Sequence, residues 1–501
     1  MSDIRKSSRN DEYSLTNLSG TNSDKQSVIQ KTNYKDAVCH SQSLIPNPQS
    51  FSYSLSQIAK LFHADYQGKD ATVSSVSIDT RTLQKGDLFF AIKGENFDGH
   101  QFAEEALKKG ACAVVADQPI THLSAMKVNN TIEALGILAR DFRKKFSANL
   151  IAITGSCGKT TTRSLAQSIF SQAGNTLASI RSFNNNIGVP LTVLQLTSEH
   201  RYAVLELGAN HIGEIFTLVK IIEPMDVAVI TKIAPIHIEG FGSLKNIAQA
   251  KFEITQGLSR NGTLVISYED DKNFWGNYSA HSFITFSMEN PQADVYAERI
   301  QLNSNGCPSF NLKTPQGACE IILNLIGRHH VHNALAAACS ALAKNISLEK
   351  IKKGLEKALP VENRLTLRKG LNGANIIDDA FNSNPFAMKA SIDLLMHYSG
   401  KHILVMGDML ELGEEEALLH GEIGVYAKTK GVDELLTYGN LSRFASSNFG
   451  KNAYHFESRE ELIKALKPKL TEKTVVLVKA SHGMKFEGIV RTCLKSLLCR
   501  S

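Results

Sequence analysis

Gly155, Gly158, Lys159 and Thr160 stand close together in the stretch ITGSCGKTTT, behind a short apolar strand and ahead of a helical pattern. These residue types at this spacing suit phosphate. Glycines let backbone N–H groups approach phosphate oxygens, and a helix start adds its positive dipole. Lys159 would reach the β- and γ-phosphates of a nucleotide, and the Thr160 hydroxyl would sit on Mg²⁺. The common pattern G-x-x-x-x-G-K-[ST] fails, because Ile153 occupies the place of its first glycine. A metal beside phosphates also needs an anionic ligand. Glu206, in AVLELGANH, closes an otherwise apolar strand at the end where open α/β sheets gather ligands. An unpaired charge there is costly, so a merely solvated carboxylate is the weaker reading. His237, in IAPIHIEGFGS, also follows an apolar strand. Taken alone, it is more readily a structural loop histidine.

These residues need a scaffold. Residues 1–52 are rich in polar types and poor in apolar periodicity, and are expected to be a disordered extension. Residues 53–148 mix strands (VSSVSID, DLFFAIKG, ACAVVA) with helices (FAEEALKKG, TIEALGILARDFRKKF). From NLIAIT onward, apolar strands alternate with helices: AVLELG, IGEIFTLVKII, DVAVIT, NIAQAKFEITQGL, GTLVIS. That alternation predicts a parallel, doubly wound sheet. The helix HNALAAACSALAKN and the Leu359–Pro360 break close residues 149–362, and a second alternation fills 363–501. The expected fold is therefore α/β in three domains. A small N-terminal α/β domain precedes a central phosphate-loop domain with a parallel sheet and a Rossmann-like C-terminal domain.

Composition narrows the partners. The chain has 501 residues, of which 43% are hydrophobic and 21% charged, an ordinary globular balance. A net charge of +6 without a basic arm gives nucleic-acid binding little support and suits small anions equally well. No apolar run approaches the ~18 residues of a bilayer span, so no membrane insertion is expected. The start lacks a secretory apolar core, and the cytoplasm is the expected compartment. Eight cysteines without paired spacing predict neither disulfides nor zinc.

In their order, ITGSCGKTTT, SFNNNIGVPLTVL, LELGANHIGEI, HIEGFGS, AKFEI, GRHHVHNALAA, ENR, DDAFNSNPFAM and GDMLELG resemble the Mur ligases, ATP-dependent amide-forming enzymes of peptidoglycan precursor synthesis. The likeness runs from about residue 75 to 490. It is strongest to the branch that joins D-alanyl-D-alanine to UDP-N-acetylmuramoyl-tripeptide, and it implies those two substrates, ATP, two Mg²⁺ ions and a monomer. It also accounts for the short loop, since the family pattern Thr-Gly-[Ser/Thr]-x-Gly-Lys-[Ser/Thr] is met by residues 154–160. The implied reaction is phosphoryl transfer from ATP to a carboxylate, followed by attack of an amine on the acyl phosphate.

The resemblance also carries residue roles. It places ATP on Thr154, Gly155, Ser156, Cys157, Gly158, Lys159, Thr160, Thr161, Asn333, Arg364, Asp379 and Asn382. Metal ligation falls to Thr160, Glu206, His237 and Lys251, the lysine acting as a CO₂-derived carbamate. Catalysis is implied for Lys159, His237, Lys251 and Arg364, and substrate contact for Thr80, Arg81, Asn184, Asn185, Asp408, Glu411 and His420. Without the resemblance, Lys251 is a helix-face lysine, Asn333 is as readily a helix cap, and NNN is a loop. Phe381 stands where the family usually has Tyr, His330 for Asn, Asn363 for Gly, Ala480 for Gly and His482 for Arg. Competing expectations are a related ligase adding a single amino acid, a phosphate-loop motor or switch, and an inactive ligand-binding relative.

Overall fold

The computed structural model describes residues 51–94, 97–120, 124–180, 183–235, 238–270 and 282–494. His237 and residues 1–50 of the expected extension lie outside the described residues. Strand Asn149–Thr154 is the pivot of the chain. Its last five residues are buried, and it pairs in parallel with Tyr202–Glu206 on one side and Met225–Ile230 on the other. A strand apolar on both faces needs cover on both, which is the habit of parallel sheets. Because the chain leaves this central strand toward both edges, its carboxyl end is a switch point where a crevice opens.

The whole central sheet has nine strands. Beyond Met225–Ile230 lie Leu258–Ser267, Ser282–Ser287, Val295–Leu302, Pro308–Thr314 and Gly317–Ile322, and Thr176–Ala178 forms the opposite edge. Pairing is parallel as far as Val295–Leu302, and the last two strands return antiparallel. This antiparallel extension was not foreseen. Along Pro308–Thr314 buried and half-buried residues alternate, as one covered face requires. Helix His330–Leu342 covers that face together with Lys159–Phe170, joining Leu335, Ala338 and Leu342 to Leu165 and Ile169.

The first domain has a four-stranded parallel sheet, Ser75–Ser77, Asp87–Phe90, Ala113–Ala116 and Ala125–Lys127. One face has its own apolar cluster, with Phe89, Ala106 and Val114, and the other shares a core with the central domain. Helix Thr131–Arg143 sends Leu135, Leu138 and Phe142 into the same cluster as Val189, Leu218 and Ile222 of the central domain. The helix starts sharply because Asn130 Oδ1 accepts from the N–H groups of Ile132 at 2.9 Å and Glu133 at 3.0 Å.

The third domain is a six-stranded sheet in the spatial order Thr366–Lys369, Asn375–Asp379, Thr474–Lys479, Lys401–Gly407, Glu434–Tyr438, Ala453–Phe456. Only the first pair is antiparallel. Separate apolar clusters cover its two faces, the doubly wound pattern expected from the sequence.

Asn130→Ala removes the cap of the helix shared by two domains. We expect a loss of about 1 kcal/mol, seen as a fall of roughly 2–4 °C in the thermal midpoint, while Asn130→Asp stays near wild type. An unchanged midpoint for the alanine variant would remove the cap from the account.

Candidate active site

The phosphate loop is built on backbone geometry. Gly158, at φ 82°, adopts the left-handed conformation that favours glycine and caps helix Lys159–Phe170 without any side-chain hydrogen bond. The first N–H groups of this helix are thus left for a ligand. A side chain at Gly158 would also collide with Asn333 Oδ1, so Asn333 lies directly on the loop. Its Nδ2 stands 3.2 Å from His330 Nδ1. Asn333 thereby packs helix His330–Leu342 against the loop, while its contact with His330 stays within that helix. Burial holds His329 and His332 down to about 4 and His330 well below its ordinary value, so all three are neutral near pH 7.

Segment 231–234 backs the loop. Ser156 N–H donates to Lys232 O at 2.7 Å, Ser156 Oγ donates to Ala234 O at 2.9 Å, and Thr231 Oγ1 donates to Cys157 O at 2.5 Å. Thr154 Oγ1 donates to Leu207 O at 2.9 Å, fastening the loop to the strand end that carries Glu206. Thr160 and Thr161 are buried. Lys159 folds back, with Nζ donating to Gly155 O at 2.8 Å.

Cations converge on Glu206, itself buried. Burial lowers the pKa values of Lys159, Arg163 and Arg364, and the Glu206 carboxylate opposes that effect in each. Glu206 Oε1 accepts from Asn184 Nδ2 at 2.9 Å, while Oε2 is buried with no hydrogen-bond partner among the described residues. Lys251 is buried nearby, its Nζ donating to Ala209 O at 3.2 Å and lying 5.0 Å from the Phe241 ring centroid. Burial, reinforced by the Lys159 charge, lowers its ammonium to about 7.

The third domain adds the other wall. Arg364 stacks on Phe381, with Cζ 4.1 Å from the ring centroid, so the phenylalanine keeps the aromatic face that matters here. Asn363 takes φ 57°, a left-handed conformation that asparagine tolerates better than most residues, and so fills a position given to glycine elsewhere. Asp379 Oδ2 accepts from Lys479 Nζ at 2.6 Å and from Ser391 Oγ at 2.8 Å, and Lys479 also reaches Asn382 O at 2.8 Å. Asn384 Nδ2 approaches Cys157 Sγ at 3.7 Å across the domain boundary.

Several expected substrate residues have structural duties. Asp408 Oδ1 accepts from Leu441 N–H at 3.0 Å and Ser442 N–H at 2.7 Å, holding a helix start. His420 is fully buried, its Nε2 accepting from Met409 N–H at 2.8 Å, so it shapes the 408–413 loop from behind. That loop abuts the central domain, where the space beside Gly413 faces Glu239. Glu411, at φ 66°, is exposed on it. Asn185 Oδ1 accepts from Gly188 N–H at 2.8 Å. In the first domain, Arg81 pairs with Asp79 at 2.6 Å, and Thr80 O accepts from Lys109 Nζ at 2.9 Å. Sequence reasoning missed Arg163, one helical turn beyond Lys159. It also missed Lys479, a charge in an apolar strand of the kind that singled out Glu206. Thr231 carried no signal.

Comparison with known proteins gives three family matches. "Mur ligase family, catalytic domain" covers residues 72–143, "Mur ligase middle domain" 153–341, and "Mur ligase, glutamate ligase domain" 363–482. The UDP-N-acetylmuramoyl-tripeptide--D-alanyl-D-alanine ligase of Escherichia coli K12 is 38% identical over 455 residues, covering 89% of this chain and 100% of its own. A MurF crystal structure from Acinetobacter baumannii superposes with a TM-score of 0.82 at 31% identity, covering 88% of this chain and 98% of its own. MurF from Thermotoga maritima in complex with ADP gives 0.75 at 26% identity, with 83% and 96% covered.

Asp379→Ala would strand the buried Lys479 ammonium. We expect the third domain to lose about 3–5 kcal/mol in denaturant unfolding. A loss under about 1 kcal/mol would mean that water already pairs that lysine.

Proposed function

This chain belongs to the Mur ligase family, and from that premise we infer that it joins D-alanyl-D-alanine to UDP-N-acetylmuramoyl-tripeptide, with ATP consumed to ADP and phosphate. It is an amide-forming ligase of peptidoglycan synthesis. The observation that carries the chemistry is the meeting of Lys159 and Arg364, from two domains, around one buried carboxylate. We take the protein to act as a monomer in the cytoplasm. Among the described residues no helix is long and apolar enough to cross a membrane.

The reaction must bring a carboxylate to a triphosphate. Two unit charges 4 Å apart repel by about 4 kcal/mol at an effective dielectric of about 20, so the site must supply positive charge. Lys159 and Arg364 would do so, the loop N–H groups holding the phosphates in line. A carboxylate oxygen of the tripeptide attacks the γ-phosphorus, ADP leaves, and an acyl phosphate forms. The amine of D-alanyl-D-alanine, having lost its proton, attacks the carbonyl carbon. The tetrahedral adduct expels phosphate, which carries off the surplus amine proton, and leaves the amide. The third domain would close over the first two, with the 408–413 loop facing the dipeptide. Thr80 and Arg81 of the first domain (residues 53–148) would meet the uridine diphosphate. Asn333 and Asp379 would border the nucleotide.

The residues fit Mg²⁺. Glu206 Oε2 is buried without a partner among the described residues, and Thr160 lies buried at the loop. Mg²⁺ keeps waters and phosphate oxygens among its ligands, so it asks for few protein groups. When bound, the metal supplies charge against the phosphates. A carbamate on Lys251 would add an anionic ligand. Only the neutral amine can attack CO₂, and a value near 7 makes that form available at neutral pH.

Product mass decides the acceptor. With the tripeptide nucleotide and ATP present, D-alanyl-D-alanine should give the dipeptide adduct and single amino acids should not. Adducts of a single amino acid alone would favour the competing ligase reading. Lys251→Ala should be nearly inactive and partly restored by acetate or formate. In the wild type, amine protonates as pH falls through about 7, so bicarbonate dependence should grow on the acid side. A flat bicarbonate response from pH 6 to 8.5, roughly spanning that value, would remove the carbamate.

A further inference from the structure

The two oxygens of Glu206 stand in different circumstances. Oε1 accepts 2.9 Å from Asn184 Nδ2, and Oε2 is buried and accepts from no described residue. Asn184 is docked twice on the strand end that carries this carboxylate. Its carbonyl accepts from Gly208 N–H at 2.8 Å, and its amide group lies where a side chain at position 208 would be. A Cβ on Gly208 would stand 2.9 Å from Asn184 Cγ and 3.0 Å from both amide heavy atoms, close enough that the amide would have to shift. Glu206 is held from its backbone as well, its N–H donating to Ser179 Oγ at 3.0 Å.

We propose that Asn184 is a positioning residue for the metal carboxylate: its amide clamps Glu206 Oε1 so that Oε2 is presented to the divalent cation. The proposal rests on Glu206 being the metal ligand. It moves Asn184 from contact with the muramoyl peptide to control of the metal. An amide suits the task because it orients a carboxylate without neutralising it. A lysine at 184 would orient Glu206 equally well but would cancel the charge that attracts the cation. Hydrogen bonds of this kind behind a metal ligand typically govern 10–100-fold of affinity. Gly208 completes the device, since a Cβ there would push the amide from its place beside Glu206.

The test reads metal binding without catalysis. Mn²⁺ is titrated into the full-length protein at saturating ADP, and the free ion is followed by electron paramagnetic resonance. Asn184→Ala should raise the Mn²⁺ dissociation constant about 10–100-fold while ADP binding in EDTA changes by less than about two-fold. In turnover assays the KM for Mg²⁺ should rise and kcat should return at high Mg²⁺. If Asn184→Ala does not fold, Gly208→Ala, which displaces the same amide, should give the same loss of Mn²⁺. Unchanged Mn²⁺ affinity in a folded variant, with a raised KM for the tripeptide nucleotide, would overturn the proposal and return Asn184 to the substrate. A wild type that binds Mn²⁺ but does not ligate would fault the functional reading and leave this one standing.

Discussion

Arg163, buried, and Lys159 and Arg364, half-buried, are cations within the field of one buried carboxylate, Glu206. Burial disfavours each of these charges, and Glu206, helped at Arg364 by Asp379, only partly opposes that effect. The site is therefore short of negative charge, and anionic substrates supply it. Much of the remaining structure holds this imbalance in place. Ser156, Thr231 and Thr154 fix the loop, Phe381 backs Arg364, and Asn184 fixes the carboxylate.

The imbalance is divided between domains. Lys159 opens the helix after one of two neighbouring parallel strands at the switch point of the central sheet, and Glu206 ends the other, whereas Arg364 sits just ahead of the third domain's first strand. Neither unit alone holds the full set. Domain contact is direct but sparse near the loop, with Asn384 against Cys157 and Lys232 over the Phe386 ring at 3.8 Å. Interfaces of this kind let domains open and close around ligands. Assembly of the site thus depends on contact between the two domains.

The chemistry was legible in the sequence where a residue type was costly in its setting. Glu206 in an apolar strand, and glycines flanking a lysine before a helix, each break a local pattern for a reason. The αβ alternation likewise gave the parallel order of the central and third sheets. The strands from Val295 to Ile322 escaped although Val295–Leu302 and Pro308–Thr314 alternate, because their outer faces stay partly exposed and the edge strand Gly317–Ile322 is largely so. Side-chain duties were less legible. His420 and Asp408 are spent on backbone N–H groups, and Asn184 on a carboxylate, because these partnerships join segments distant in the chain. Lys251 shows the same limit, since its burial, and hence its lowered ammonium, comes from packing around Phe241 and Ala209.

The central claim is that converging cations let one anion attack another. Its most direct measurement is oxygen transfer from substrate to phosphate. The terminal carboxylate of the tripeptide nucleotide is labelled with ¹⁸O, ligation is run with ATP and D-alanyl-D-alanine, and the released phosphate is weighed. The account predicts one labelled oxygen in each phosphate, because the attacking carboxylate oxygen leaves with phosphorus. Amide product accompanied by unlabelled phosphate would contradict it.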